Sequence, residues 1–226
     1  MLDGEGYLAA VSHELESSLL VLTSSLELLR ESRPVESFEQ EQHLKRIDES
    51  AQRMKRLLSG VRRFAWAKRE MEMSRFPLAG VVDEALEMLA HVITERRAQV
   101  IVPETLPVVH GDRDQVVQLV QNLLSNAIKF GPERGRVTIS ASRVGRDWVI
   151  AIEDDGPGIL PENREQVFEP FRRLLETRHV EGTGLGLAIC RRVAENHAGS
   201  LTIEASETGG AKFLFTLPDR PAELVS

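Results

Sequence analysis

Cysteine is nearly absent from this chain, which has only Cys190 in 226 residues. A lone cysteine cannot form an internal disulfide, and its apolar neighbours indicate an ordinary buried helix position. Long apolar runs are absent as well, since none approaches the roughly 20 residues that span a bilayer, and the N-terminus lacks the basic-then-apolar pattern of a signal peptide. We therefore expect a cytoplasmic fragment without direct membrane contact, whether or not the full-length protein is membrane-anchored.

Positive charge is in the minority, because 28 Lys and Arg stand against 35 Asp and Glu and leave a formal net charge of −7. A protein that binds a polyanion needs a basic surface, so nucleic acid is not an expected partner. Hydrophobic residues make up 42% of the chain, which is enough to build a sizeable core and too much for general disorder. The length favours two domains of ordinary size.

The first part of the chain carries helical heptad patterns. In one segment, seven apolar residues alternate spacings of three and four: Leu44, Ile47, Ala51, Met54, Leu58, Val61 and Ala65. A less regular stripe runs from Leu8 to Leu29, and the polar loop 31–37 joins the two helices. Two helices cannot enclose such a seam alone. We therefore predict an antiparallel hairpin over residues 1–70 that forms a four-helix bundle as a homodimer.

The pattern changes near Ser74, where a second domain is expected to begin. Helices are predicted for three segments: 78–97, 115–130 and 185–196. The second of them is expected to start at Asp112 and to stop at Gly131-Pro132. Strands are predicted for five others: 99–102, 137–141, 148–152, 201–204 and 212–217. Gly145 and Arg146 mark the turn of an antiparallel pair. The order predicts an α/β sandwich with one helical layer over residues 74–218, followed by a tail at 219–226, so the whole chain is α+β in class.

The second helix of this domain offers polar side chains along one edge. Asn122, Asn126 and Lys129 are spaced by four and three residues, so they stack on one side, away from the apolar stripe. Amide oxygens are suitable ligands for Mg²⁺, which usually shares phosphate oxygens, and this edge is therefore a candidate polyphosphate and metal site. An ordinary solvated helix face is the alternative for this triplet taken alone.

Two glycine-containing segments follow. Asp154-Asp155-Gly156-Pro157-Gly158-Ile159 ends a strand, where a carboxylate can accept a hydrogen bond from an adenine amino group; a plain turn is the alternative. Gly182-Thr183-Gly184-Leu185-Gly186-Leu187 opens a helix, so its backbone N–H groups can approach phosphate at the positive end of the helix dipole. The candidate nucleotide-binding residues are Asn122, Asn126, Lys129, Phe130, Asp154, Gly156, Gly158, Ile159, Gly182, Thr183, Gly184, Leu185, Gly186 and Leu187.

The order of these segments resembles that of sensor histidine kinases of two-component systems. NLLSNAIKF is similar to their N box, DDGPG to the G1 box, VFEPFRRL to the F box and GTGLGL to the G2 box. The resemblance implies the Bergerat-type (GHKL) ATP fold shared with gyrase, Hsp90 and MutL proteins, with ATP and Mg²⁺ as cofactors. It implies that Asn126 coordinates Mg²⁺ and that Asp154 reads adenine. Asn122, the second candidate metal ligand, and Lys129 are implied to contact phosphate or metal-bound water.

The resemblance also covers the segment around the ATP lid. It implies that Arg173 approaches the γ-phosphate and that Phe168 and Phe171 anchor the lid; core packing and a surface arginine are the alternative. About ten residues separate Phe171 from Gly182, so a short lid is expected, similar to those of phytochrome-like kinases.

A histidine near the N-terminus extends the resemblance to the helical hairpin. His13 falls far from the predicted seam, and Ser12-His13-Glu14-Leu15 is similar to the H box of the family. The resemblance implies that His13 accepts phosphate, that Glu14 helps withdraw its proton, and that an aspartate of a response-regulator receiver domain is the final acceptor. The family often continues as Arg-Thr-Pro, whereas this chain has Glu16-Ser17-Ser18. Ser17 stands where a Thr or Asn orients water for dephosphorylating the regulator.

The predicted function is an ATP-dependent protein-histidine kinase core, possessing regulator phosphatase activity if Ser17 substitutes for the usual residue. A nucleotide-binding, non-catalytic dimeric signalling scaffold is the main alternative, because the H box is altered. A gyrase-like or Hsp90-like ATPase is disfavoured, since those relatives commonly carry a water-activating Glu where this chain has Asn122, and because a hairpin precedes the nucleotide domain. The absence of a sensor domain leads us to expect a fragment of a longer receptor.

Overall fold

The computed structural model describes residues 19–20, 22–24, 26–27, 38–66, 71–172 and 183–219. The chain divides into two compact units, the helical unit Met1–Trp66 and the α/β unit Ala67–Ser226. No helix within the described ranges is long and apolar enough to cross a membrane. Five of the site residues predicted above lie outside those ranges: His13, Glu14, Ser17, Arg173 and Gly182.

In the described part of the helical unit, a long helix, α1, spans Phe38–Trp66, and the described residues between positions 19 and 27 are helical too. One predicted seam residue of α1, Ala51, is buried. Two other predicted seam residues of α1 remain about half exposed, Ile47 at 51% and Met54 at 45%, as does Leu22 in the stripe from Leu8 to Leu29, at 54%. These three line an open, largely apolar groove within the unit. Within a single chain, the predicted seam is therefore only partly covered.

The α/β unit alternates helices and strands. The helices among its described residues are α2 (Leu78–Arg96), α3 (Arg113–Phe130) and α4 (Gly186–Asn196). Its strands are β1 (Met73–Pro77), β2 (Gln99–Ile101), β3 (Val108–Asp112), β4 (Arg136–Val144), β5 (Asp147–Asp154), β6 (Leu201–Ala205) and β7 (Ala211–Pro218). Two short 3₁₀ turns, Pro161–Asn163 and Gln166–Phe168, lie between β5 and α4. The helices and strands predicted for this unit are all present, with ends shifted by a few residues at most.

Five strands form one sheet in the order β2-β4-β5-β7-β6, in which only the β2–β4 pair is parallel. Helix α2 contacts α3, α3 contacts α4, and α3 and α4 also contact strands of this sheet. Alternate residues of β7 are buried: Ala211, Phe213, Phe215 and Leu217. Because strand side chains alternate between two faces, this pattern places the core on one face of the sheet, under the helices. The predicted α/β sandwich with one helical layer is confirmed.

A second, two-stranded sheet was not predicted. Strands β1 and β3 pair in antiparallel fashion, with Phe76 opposite Val109, and both of these side chains are buried. The sequence Met-Ser-Arg-Phe-Pro shows no alternation of polar and apolar residues, and β3 contains a glycine. This ribbon depends on partners more than 30 positions apart rather than on local pattern.

Helix α3 begins and ends where the sequence indicates. The Asp112 side chain caps its start by accepting a hydrogen bond from Gln115 N (3.1 Å), while its other oxygen accepts one from Glu72 N (2.9 Å). The helix ends at Phe130, and Gly131 N donates to Ala127 O (3.0 Å). The position of α3 along its axis is therefore set at both ends, which fixes where its polar edge lies.

Candidate nucleotide site

The polar edge of α3 separates from its apolar stripe as expected. Asn122, Asn126 and Lys129 are partly exposed, whereas Leu123 and Ala127 are buried. The two amides and the lysine therefore lie at the boundary between core and solvent, where a polar ligand can reach them.

Asn122 has an unusual environment for an amide. Its Nδ2 group is buried and has no hydrogen-bond partner within the described part of the chain. Cys190 is fully buried, as predicted, and its thiol donates to Leu119 O (3.6 Å). Burial raises the pKa of the Cys190 thiol, and the Asn122 amide is close enough to oppose that rise, although it lacks hydrogen-bonding geometry to the sulfur. An unpaired buried N–H is costly, so a ligand that supplies an acceptor at Asn122 would relieve that cost.

Asp154 stands at the end of β5 and is 8% exposed. Its Oδ1 accepts hydrogen bonds from Gly156 N (2.9 Å) and Ala211 N (3.1 Å). Among the described residues no donor reaches Oδ2, which leaves that oxygen as an acceptor for an amino group. Burial raises the pKa of this carboxyl above its ordinary value of 3.8; the two backbone donors oppose the rise, and the charges of Asp155 and Glu153 add to it.

Glycine is required where the G1 segment approaches the end of α3. A Cβ added at Gly156 would lie 2.9 Å from Asp154 Oδ1 and 3.3 Å from Phe130 O. Ile159 is partly buried, and its carbonyl accepts a hydrogen bond from Arg164 Nε (3.2 Å). The strand end carrying Asp154 and the helix end carrying Phe130 are therefore brought together, as the predicted site requires.

The start of α4 reaches the same polar edge. A Cβ added at Gly186 would lie 3.8 Å from Asn122 Oδ1, so the G2 segment and the N-box helix are adjacent. Leu185 is buried, and its backbone N–H donates to Thr183 Oγ1 (3.3 Å). Leu187 is partly exposed. Of the predicted G2 residues, Gly186 is therefore the one that lies beside Asn122.

The F box contacts the G2 segment through backbone. Phe171 N donates to Gly184 O (2.9 Å), and Gly184 has a positive φ of 74°. A Cβ at Gly184 would lie 2.7 Å from the carbonyl carbon of Phe171, so only glycine fits there. The Phe171 side chain is 58% exposed, whereas Phe168 is buried. The core-packing interpretation therefore describes Phe168, and Phe171 joins the two segments by its main chain.

A salt bridge also links the F box to α4. Arg191 Nη1 lies 2.8 Å from Glu165 Oε2, and the Arg191 guanidinium lies 5.2 Å from the centre of the Phe168 ring. The carboxylates of Glu165 and Glu195 raise the pKa of Arg191. This arginine secures the segment that precedes the lid, and it was not singled out from the sequence, because a single arginine on a helix is most often a surface residue.

Two further contacts were missed by sequence reasoning. Arg96 at the end of α2 donates to Gly131 O (2.8 Å) and Lys129 O (3.3 Å), which places a cation at the C-terminal end of α3. Ala211 contributes only its backbone N–H to Asp154. Neither contact leaves a local signal, because one depends on the packing of two helices and the other on a main-chain atom.

Comparison with known proteins identifies both units. Residues 5–70 match the family model of the His Kinase A (phospho-acceptor) domain. Residues 111–221 match the family model of the histidine kinase-, DNA gyrase B- and HSP90-like ATPases. The two matches cover the H box and, in the α/β unit, all four boxes described above.

Individual relatives agree with these matches. The phytochrome-like protein Cph1 of Synechocystis sp. (strain ATCC 27184 / PCC 6803 / Kazusa) is 39% identical over 139 residues, which is 61% of this chain and 18% of Cph1. The solved structure of the mycobacterial sensor histidine kinase MprB is 34% identical with a TM-score of 0.58, and the match covers 66% of this chain and 99% of that one. Full-length ShkA in complex with AMPPNP has a TM-score of 0.74 at 26% identity, and the match covers 96% of this chain and 46% of ShkA.

The chain spans less than a fifth of the length of Cph1 and about half of ShkA. A likeness of this extent identifies a family and a fold. The phosphoacceptor match precedes the ATPase match along the chain, and the N, G1, F and G2 segments lie within the second match. The chain belongs to the sensor histidine kinases of two-component signalling, with a phosphoacceptor domain followed by an ATP-binding domain.

Proposed function

We propose that this chain transfers the γ-phosphoryl group of Mg-ATP to a nitrogen of His13 and then passes it to an aspartate of a response-regulator receiver domain. The observation that carries the proposal is the convergence of three segments on one site. Asn122, Asp154 and Gly186 lie on different elements, and each offers either an unpaired polar atom or a backbone without a side chain. The match of residues 5–70 to a phosphoacceptor domain supports His13 as the acceptor.

Each box has a defined task in this proposal. Asp154 Oδ2 accepts a hydrogen bond from the adenine amino group, because Oδ1 is already occupied by two backbone donors. Asn126, assisted by Asn122, offers an amide oxygen to Mg²⁺, and Lys129 faces the phosphates. Bound Mg²⁺ supplies charge neutralisation at the transferring phosphoryl group. The glycines of the G2 segment let backbone N–H groups approach phosphate at the start of α4.

The acceptor chemistry is a displacement at phosphorus. The neutral His13 nitrogen forms a bond to the γ-phosphorus as the bond to the leaving oxygen of ADP breaks. Glu14 takes the ring proton, and Arg173 stabilises charge on the γ-phosphate. In this proposal Ser17 orients water when the regulator is dephosphorylated.

The proposal includes a homodimer formed by the hairpin of residues 1–70, with the ATP-binding domain occupying residues 74–218. Leu22, Ile47 and Met54 support it, because these apolar side chains stay about half exposed in one chain and line one groove. A second copy of the hairpin would bury them in a symmetric interface.

The decisive experiment is labelling with γ-labelled ATP in the presence of Mg²⁺. Wild-type protein is expected to acquire an acid-labile label, and His13→Gln is expected to lose it. His91→Gln makes the same substitution at an exposed histidine of α2 and should label normally. A label retained in His13→Gln would show that another residue is the acceptor.

Two other outcomes distinguish the alternative functions. ATP binding without any labelled protein would favour the nucleotide-binding scaffold. Steady phosphate release over many turnovers, again without labelled protein, would favour a gyrase-like ATPase.

A further inference from the structure

The turn between β6 and β7, residues 206–210, packs directly on the strand end that carries Asp154. A Cβ added at Gly210 would lie 2.0 Å from Asp154 O and 2.6 Å from Asp154 Oδ1. A Cβ at Gly158, whose φ is +70°, would lie 2.8 Å from Gly209 O. The turn therefore approaches the G1 segment so closely that both sides need glycine. Gly158, the second glycine of the G1 box, therefore allows this close contact with the turn.

Polar side chains fasten the same turn to β5. Ser206 is 7% exposed, and its Oγ donates a hydrogen bond to Glu153 Oε1 (2.7 Å). The same Ser206 Oγ accepts a hydrogen bond from Thr208 N (3.1 Å). Thr208 Oγ1 donates to Asp154 O (3.3 Å). Side-chain bonds of the turn therefore reach both residues that end β5.

The turn leads into Ala211, whose backbone N–H donates to Asp154 Oδ1. The other donor to this oxygen, Gly156 N, comes from the G1 segment. With Oδ1 held from two separate segments, the carboxylate cannot rotate without breaking at least one bond to a buried group. Oδ2 is then the acceptor presented to a ligand.

We propose that the 206–210 turn is a specificity element, in which Gly210 and Ser206 act as positioning residues that hold Asp154 in the orientation needed to select a 6-amino purine nucleotide. The proposal rests on the proposed function, because it requires ATP to bind with its base at Asp154. It adds that base selectivity depends on a turn more than 50 positions along the chain from the residue that it controls.

The test compares the affinities of ATP and purine riboside 5′-triphosphate, which lacks only the 6-amino group, for the full chain. Wild type should bind ATP about tenfold more tightly, as expected for one hydrogen bond to a charged acceptor. Gly210→Ala should reduce that ratio to about threefold or less, since the added methyl displaces either the turn or the carboxylate. Ser206→Ala removes the anchor without adding volume and should reduce the ratio by a smaller factor.

Gly80→Ala is the matched control, because it adds the same methyl on α2, where nothing lies within 4 Å. It should leave the ratio unchanged. A ratio is used because a general loss of folding weakens both nucleotides equally, whereas a displaced carboxylate weakens ATP selectively. If Gly210→Ala does not fold, the ratio for Ser206→Ala decides.

An unchanged ratio in the folded variants, or an equal loss for both nucleotides, would overturn the inference and leave ATP binding intact. Equal affinities in wild type would overturn it too, since Asp154 would then not read the amino group. Failure of wild type to bind either nucleotide would instead refute the proposed function itself.

Discussion

The helical unit and the α/β unit differ in how completely each buries its own apolar residues. In the α/β unit, Leu123, Ile150 and Phe215 are at most 1% exposed, so its core is closed within one chain. In the helical unit, Ile47 and Met54 are about half exposed although their heptad positions assign them to a seam. In the α/β unit the buried amide nitrogen of Asn122, on the polar edge of α3, lacks a partner among the described residues, whereas in the helical unit apolar side chains lie exposed on a helix face. The α/β unit therefore closes its own core, whereas the described part of the helical unit leaves an apolar face uncovered.

The largest expected effect tests the α/β side of this comparison. Asn126→Ala removes the amide proposed to hold Mg²⁺ and should reduce labelling by γ-labelled ATP by about a hundredfold or more. Gln121→Ala deletes an amide from the same helix, about 140° around the helix axis from Asn126, and should label normally. Comparable labelling in Asn126→Ala and wild type would remove this residue from the metal site.

The next effect tests the helical side. Ile47→Glu places a charge on the exposed seam and should weaken dimerisation at least about 30-fold, as expected for a central apolar contact. Sedimentation equilibrium measures the change, with Gln52→Glu as the control for an added charge at an exposed polar position. ATP affinity should stay the same in both variants. A dimer of unaltered strength in Ile47→Glu would mean that this groove is not the interface.

Asp154→Asn tests whether the free oxygen of Asp154 accepts a hydrogen bond from the base. Because two backbone N–H groups demand an oxygen at the Oδ1 position, the amide would turn its NH₂ group toward the adenine amino group. ATP affinity at neutral pH should fall about tenfold, measured by calorimetry.

The raised pKa of Asp154 adds a pH dependence to the same contact. Protonation removes the ionised acceptor, so wild-type affinity for ATP should decline as the pH falls toward that pKa, at values above the ordinary 3.8. Asp154→Asn lacks this titration, and the ratio of the two affinities cancels the titration of the nucleotide itself. A ratio that does not vary with pH would show that the carboxylate does not act as a charged acceptor.

The smallest effect concerns the stability of the α/β unit. His197 accepts a hydrogen bond from Asp112 N (2.9 Å), and its other ring nitrogen lies 2.7 Å from Val193 O, so α4 is joined to the start of α3. His197→Phe leaves the Asp112 N–H without an acceptor and should lower the free energy of unfolding by about 1–2 kcal/mol at pH 7.5. Urea denaturation measures this, and His91→Phe on the exposed face of α2 should have no such effect.

Burial lowers the pKa of His197 below its usual 6.5, although the bond to Val193 O and the charge of Asp112 oppose the shift. As the pH falls below about 6.5, the unfolded chain therefore takes up a proton that the folded chain does not. The wild type should lose up to about 1.4 kcal/mol of stability per pH unit until the lowered pKa is reached. The stability of His197→Phe should depend less steeply on pH over that window, and equal slopes would contradict the assignment.

Much of the fold was predictable because its signals are local. Asp112 and Gly131 bound α3 as predicted, since a carboxylate at a helix start and a glycine at its end act on backbone groups within a few residues. The turn at Gly145 between β4 and β5 was likewise expected, and Gly145 has a positive φ of 63°. The N, G1 and G2 boxes were recognised because their residues and order resemble those of sensor histidine kinases.

What was missed depends on distant partners. The β1–β3 ribbon pairs segments that show no alternation of their own, and Asp154 receives a bond from a main-chain atom 57 positions away. A backbone N–H has no residue-specific signature, so no pattern in the sequence marks Ala211. His197 is comparable, because one histidine between a helix and a strand does not reveal that it accepts a bond from Asp112 N.

The sequence by itself determined that Asn122, Asn126 and Lys129 share one polar edge of α3, because residue type and helical spacing decide it. Only the tertiary structure decided which atoms remain available to a ligand. That availability depends on how neighbouring segments occupy the rest of each polar group, as the backbone donors of Gly156 and Ala211 occupy one oxygen of Asp154. Hydrogen bonds of this kind are formed by packing between segments far apart in the chain, and local sequence does not encode them.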